Sequence, residues 1–325
     1  MSVSAPGGAA ALSLLHDGAL RLEAAPDLRP LLARWLPLLP YDSTPAAAGG
    51  AAIRVARRFD DGFGAGPAPA APPVLRLGSV DAWVEGEGAT LRGAAGCAGR
   101  IGLAAGTAAL AVPRVVEDAD AAGWDLYSML TLSAALLLGR MGRALVHAAA
   151  VVAPGGGAWL LAGDTHAGKS TTSVNLISAG WDFVSDDHVV LFGGAGGGVW
   201  VEGWPRRFHL DEGWESGAPG RPRGEVDPHA RWPGRWRRTA PLAGVLFPRV
   251  SAAEPTALAP APAADALAGL LRQSPWLLAD RAAAPAVLGL LHAACGHPAF
   301  ALRLGLDTYR DTGRLVRVLG PLVAG

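Results

Sequence analysis

The run Leu160-Leu161-Ala162-Gly163-Asp164-Thr165-His166-Ala167-Gly168-Lys169-Ser170-Thr171-Thr172 fits the pattern G-x-x-x-x-G-K-[ST], and it limits the fold of this chain more than any other feature. A loop of this kind works only between a strand and a helix. Its glycines let the main chain approach phosphate oxygens, and the N–H groups at the head of the helix form an anion cradle. The context is met here, because the apolar stretch Ala158–Ala162 reads as a strand and Lys169–Ala179 as a helix. Lys169 would then reach the β and γ phosphates of a nucleotide, and the Ser170 hydroxyl would ligate Mg²⁺. Composition sharpens the point: Lys169 is the single lysine among 28 basic residues, all the others being arginine. A lysine kept where arginine has replaced every other sits where a compact ammonium is needed and a planar guanidinium does not serve.

Two further elements carry chemistry. In Phe183-Val184-Ser185-Asp186-Asp187 a short apolar strand runs into paired carboxylates. A carboxylate at a strand end beside a phosphate loop is the usual partner for the nucleotide's Mg²⁺, and two of them divide the labour, one holding metal and one accepting a proton from the attacking hydroxyl. His147 opens the apolar stretch 145–153 that leads to the loop, and an imidazole titrates near neutrality.

Strand, helix and strand in short succession point to an α/β layer architecture from 121 to 325. Residues 1–120 read as a smaller, mainly β region, with alternating stretches at 51–57, 80–85, 88–92 and 99–103 and a Pro/Ala/Gly connector at 64–73. A helix is expected over 122–142. A strand pair is expected around 199–210, an irregular segment over 211–239, and a strand at 242–247. Helices near 263–273 and 281–295, a strand at 299–304 and a helix at 308–319 complete the reading. The segment from 193 to 240 holds Trp204, Trp214, Trp232 and Trp236 among Arg206, Arg207, Arg221, Arg223, Arg231, Arg235, Arg237 and Arg238, with Asp211, Glu212, Glu215, Glu225 and Asp227 interleaved. It reads either as a lid that grips an acidic or phosphorylated partner or as a solvated loop.

The three motifs together resemble the catalytic domain of the HPr kinase/phosphorylase family: Val146-His147-Ala148-Ala149-Ala150-Val151-Val152, then the GDTHAGKS loop, then Ala179-Gly180-Trp181-Asp182-Phe183-Val184-Ser185-Asp186-Asp187. The likeness covers 145–191 well and 192–320 weakly; the GKSTT run leans toward the related ATP-dependent phosphoenolpyruvate carboxykinases. The resemblance implies a P-loop core of HPr kinase/phosphoenolpyruvate carboxykinase type that uses ATP and Mg²⁺. It implies that Gly163 to Thr171 hold the nucleotide, that Lys169 binds phosphate and that Ser170 holds Mg²⁺. It further implies that Asp187 accepts the proton with Asp186 as its close partner, and that His147 is the catalytic histidine. The resemblance also implies that Glu202 takes the place of a second Mg²⁺ carboxylate, and that an arginine from among Arg206, Arg207, Arg237 and Arg238 contacts the phosphoryl group. His166 departs from the family, standing where a glycine is usual. The family's E-h-R-G-x-G signature is absent, so neither reverse, phosphate-driven dephosphorylation nor HPr itself as acceptor is expected.

The expected activity is therefore ATP-dependent phosphorylation of a hydroxyl, serine first, on a protein or peptide, with a ribosomally made peptide precursor as one acceptor suggested by analogy. A small-molecule kinase and a non-catalytic nucleotide-binding module remain open. A formal charge of zero argues against nucleic acid as a partner. Cys97 and Cys295 make no disulfide framework, and His188, His209, His229, His292 and His297 show no zinc spacing. The most apolar run, Met129–Gly139, is too short to cross a bilayer, so a cytoplasmic protein, free of membrane and with homo-oligomerisation open, is expected.

Overall fold

The computed structural model describes residues 11–35, 50–57, 68–194, 196–204, 206–211 and 223–323. Glu212, Trp214, Glu215 and Arg221 of the arginine- and tryptophan-rich segment lie outside them, as do the first residues of the 64–73 connector. The chain divides into two compact units: Met1–Met141 with Trp276–Ala284, and Gly142–Pro275 with Pro285–Gly325.

In the first unit eight strands form one sheet: β1 Ala11–Ser13, β2 Leu20–Ala24, β3 Ala51–Arg57, β4 Leu75–Leu77, β5 Val80–Glu85, β6 Gly88–Gly93, β7 Ala98–Gly102 and β8 Thr107–Val112. Their order is β1-β2-β3-β8-β7-β6-β5-β4, parallel at β2–β3 and β3–β8 and antiparallel elsewhere. Two helices, α1 Arg29–Trp35 and α2 Ala119–Arg140, accompany it.

Helix α2 corrects the sequence reading twice. Asp118 caps it by accepting from the Asp120 and Ala121 amides, so it starts before 122. It belongs to the first unit, which places the division after Met141 instead of at 120. Besides its buried apolar residues, polar contacts tie it to that unit: the fully buried Asp125 accepts from Ser79 Oγ at 2.5 Å and from the Ala95 amide at 2.8 Å. The run Met129–Gly139 is part of this longer element, the one helix among the described residues long and apolar enough to cross a membrane. Of its most apolar window, 89% is buried inside the protein. An element apolar on all sides is what a core helix requires.

The second unit is mixed α/β. Its elements are β9 Ala144–Val146, β10 Ala148–Val152, β11 Ala158–Ala162, α3 Lys169–Ser178, β12 Asp182–Ser185, β13 Val189–Gly193, β14 Val199–Gly203, β15 Phe208–Asp211, β16 Arg223–Val226, α4 Pro228–Arg231 and β17 Thr239–Ser251. After them come β18 Ala257–Pro260, α5 Ala263–Arg272, α6 Ala284–Ala294, β19 Ala299–Gly305, α7 Asp307–Arg310 and α8 Thr312–Val323. The main sheet runs β12-β10-β11-β17-β14-β13-β9, and β19 pairs with both β17 and β18. Strand β17 has three neighbours. One edge meets β11 in parallel, and the other meets β14 antiparallel over Thr239–Pro241 and then β19 in parallel from Val245. Helices α3 and α8 cover the sheet through Leu176, Leu315 and Leu319 packed on Leu161, Leu246 and Leu302.

Two strand expectations needed revision. The stretch 145–153 is not continuous: β9 pairs with β13, β10 pairs with β11 and β12, and the chain changes neighbours at His147. The expected pair within 199–210 does not form either. Strand β14 enters the main sheet, while β15 pairs in a separate two-stranded ribbon with β16, a strand inside the stretch expected to be irregular. Aromatic packing explains the ribbon, since Phe208 and Leu210 of β15 join Phe183, Val174 and Ile177, with Trp232 and Trp236 against them.

Candidate active site

The loop 163–168 leaves the carboxyl end of β11, which lies parallel to β17, itself parallel to β19. Ligands of open α/β sheets gather at such strand ends. The loop sits close to its neighbours. A Cβ on Gly163 would lie 3.1 Å from Ala167 Cβ and 3.4 Å from the Pro248 carbonyl of β17. Gly168, with φ of 97°, starts α3 in the left-handed region, and a Cβ there would approach Leu304 Cδ1 of β19 to 2.5 Å. Glycine meets both demands at once. His166, at φ 66°, is the non-glycine residue with positive φ among the described residues. Such a conformation costs an L-residue about 1 kcal/mol.

Lys169 is buried, and its Nζ donates to the carbonyls of Gly163 at 2.7 Å and Asp164 at 3.1 Å. The ammonium is thus drawn over the loop it follows. Asp164 in turn accepts from Nε2 of Gln273 at 3.1 Å. Ser173 secures the helix head by donating to the Lys169 carbonyl at 3.1 Å.

Strand β12 carries the acidic pair to the same end of the sheet. Asp186 is buried, its Oδ2 accepts the His209 amide of β15 at 3.2 Å, and the Ser170 side chain bonds to the same carboxylate. Its Oδ1 is buried without a hydrogen-bond partner. Burial, reinforced by the neighbouring charge of Asp187 and opposed by Ser170, the His209 amide and Arg206, pushes the Asp186 carboxyl up to about 6.

Asp187 has the opposite setting. Burial would raise it, but His188, Arg206 and His147 outweigh that and hold its carboxyl well below the usual range. His188 Nδ1 lies 2.6 Å from Oδ2, His147 Nε2 lies 3.3 Å from Oδ1, and the Arg206 guanidinium also meets Oδ2. The two imidazoles are tilted neighbours with ring centres 5.3 Å apart. Burial lowers His188, against the opposing pull of the Asp187 carboxylate 2.6 Å away. Burial lowers His209 as well, with Arg206 acting in the same direction.

The structure thus brings together Gly163 to Ser170, Asp186, Asp187 and His147. Glu202 is fully buried on β14 and pairs with Arg238 at 3.6 Å. Among the described residues no group of three or more His, Cys, Asp or Glu side chains is arranged to hold a metal ion. Of the four candidate arginines, Arg206 meets Asp187, Arg207 pairs with Glu225, Arg237 with Asp182 and Arg238 with Glu202. Sequence reasoning weighed His188 and His209 only as zinc ligands and passed over Gln273. The adjacency of His188 to the acidic pair was a usable signal; Gln273 and the His209 amide gave none, since long-range folding alone delivers them.

No family model and no curated protein matches this chain. Among solved structures, the HPr(Ser) kinase/phosphatase from Coxiella burnetii superposes with a TM-score of 0.32 and 13% identity, covering 56% of this chain and 99% of that one. A likeness of that size carries nothing about activity, and the functional reading rests on the site.

Proposed function

We propose that this chain is an ATP- and Mg²⁺-dependent kinase that transfers the γ-phosphoryl group to a hydroxyl, serine foremost, of a protein or peptide acceptor. The observation that carries the reading is the orphaned, buried Oδ1 of Asp186, in a carboxylate bonded to Ser170 at the head of a helix that follows a glycine-bounded loop. A hydroxyl and a carboxylate are hard oxygen donors, and Mg²⁺ is commonly held by one or two such protein ligands, with phosphate oxygens and water completing its shell. Ser170 and Asp186 fit that need; Glu202, engaged with Arg238, stands as a further carboxylate of the proposed site. When bound, the metal supplies charge neutralisation on the phosphates.

The chain's own residues do the rest. Amides from Gly163 to Thr171 cradle the phosphates, and Lys169 exchanges its contacts with the Gly163 and Asp164 carbonyls for phosphate oxygens. Asp187 orients the acceptor hydroxyl and takes its proton as the hydroxyl oxygen bonds to the γ-phosphorus and the bond from that phosphorus to the bridging oxygen of the departing ADP breaks. Its depressed pKa makes it a weak base in the resting site, so orientation is its larger contribution. His147 and His188 hold that carboxylate through its two oxygens, and Arg206 is the arginine best placed to meet the transferred group. An acceptor peptide is favoured over nucleic acid by the chain's zero formal charge.

The test is transfer of label from γ-labelled ATP to candidate acceptors, read by mass spectrometry, with Lys169→Met beside the parent. Loss of transfer in Lys169→Met is expected; transfer at the parent rate would remove the phosphate-loop assignment.

A further inference from the structure

Helix α5 ends at Arg272, and the next residue, Gln273, bonds its amide to the Leu270 carbonyl and is buried. Its remaining groups point to two distant segments. The Gln273 carbonyl accepts the His147 amide at 2.8 Å, at the residue where the chain leaves β9 for β10. The Gln273 side chain donates through Nε2 to Asp164 Oδ1 at 3.1 Å, inside the phosphate loop. The Asp164 carbonyl takes Lys169 Nζ, and His147 Nε2 faces Asp187. A continuous series of polar contacts therefore runs Lys169–Asp164–Gln273–His147–Asp187.

We infer that Gln273 is a positioning residue that ties the phosphate loop to the strand switch at His147, so that the nucleotide half and the acceptor half of the site share one anchor. The inference rests on the nucleotide reading of the loop. An amide suits the role. A carboxylate can only accept, and the side-chain NH₂ supplies a donor without neutralising Asp164. Because the main-chain bond to His147 does not depend on the side chain, substitution at 273 separates the two links.

The experiment exchanges the two groups. Gln273→Glu sets two carboxylates against each other, whereas Gln273→Glu with Asp164→Asn restores an amide–carboxylate pair in the reverse sense. Calorimetry with Mg·ATP is expected to find affinity about tenfold weaker in the single variant, the scale of one hydrogen bond to a charged group. The double variant is expected to recover most of it. Hydrogen exchange of the 163–168 amides, measured without nucleotide, should quicken in the single variant and slow again in the double. A structural defect elsewhere in the chain would not be rescued by Asp164→Asn. A Gln273→Glu variant like the parent in both measurements, or a double variant no better than the single in either, overturns the assignment. Should Gln273→Glu not fold, Gln273→Leu replaces it. Its loss of affinity should then not grow when Asp164→Asn is added, and additive losses overturn the link. A parent that binds no Mg·ATP sinks the nucleotide reading alone, and the exchange rates then judge Gln273 by the same criteria.

Discussion

Nε2 of His147 stands 3.3 Å from Oδ1 of Asp187, while Nδ1 of His188 meets the other oxygen, Oδ2, at 2.6 Å. The geometry follows from the break between β9 and β10: a continuous strand would keep residue 147 in the ladder with its neighbours. Both imidazoles and Arg206 stabilise the anion, so Asp187 is ionised across the physiological range.

Asp187→Asn is accordingly expected to keep Mg·ATP affinity within a fewfold of the parent and to lose phosphoryl transfer by about 10²–10⁴-fold, orientation of the hydroxyl and acceptance of its proton being lost together. Binding is checked by calorimetry and transfer by label incorporation at saturating nucleotide. Unaltered transfer would move the proton acceptor elsewhere.

Asp186 gives the metal-free protein an unusual pH response. Its carboxyl rises from the ordinary 3.8 to about 6, so the native state binds the proton more tightly than the unfolded chain. Stability from this group is greatest below the unfolded value, falls as pH climbs from about 4 to about 6, and stays reduced above that, by roughly 3 kcal/mol. Asp187, displaced downward, contributes above the ordinary carboxylate range and loses that contribution as pH falls below it. Urea titrations across pH 4–8 should show Asp186→Asn more stable than the parent at pH 7.5 and flatter through pH 4–6.

Cys97 is buried and its thiol is pushed up to about 12, chiefly by burial and then by Asp125. It is expected to resist alkylation at pH 8 in the native state and to react only at the rate of unfolding. Mass spectrometry of iodoacetamide-treated protein, with and without denaturant, measures this.

The two left-handed loop residues should respond in opposite directions. Gly168→Ala places a methyl against Leu304 in a conformation alanine avoids and should cost about 1–3 kcal/mol. His166→Gly relieves a positive φ and should be neutral or gain up to about 1 kcal/mol. Thermal melting of the two variants compares them directly.

What the sequence made legible was local. The glycine-bounded turn before a helix, the Asp186–Asp187 pair at a strand end and the helix from Lys169 are short patterns with their own spacing, and strands such as Ala51–Arg57 and Val80–Glu85 announce themselves by alternation. What stayed hidden depends on distant partners. Helix α2 is apolar all round, so no stripe discloses which unit it serves. The strand switch at His147 follows from β9 choosing β13, and the ribbon of β15 and β16 from an aromatic cluster assembled across three elements. Arg206 could not be ranked among the arginines until folding set it on Asp187, and Gln273 sits in an unremarkable helix end.

Strand β17 borders β11 along one edge and divides the other between β14 and β19. Peeling it away severs three ladders together, so its amides should be the slowest to exchange in this unit, opening only when the whole unit unravels. The loop seated against Pro248 and Leu304 inherits that permanence where it touches them.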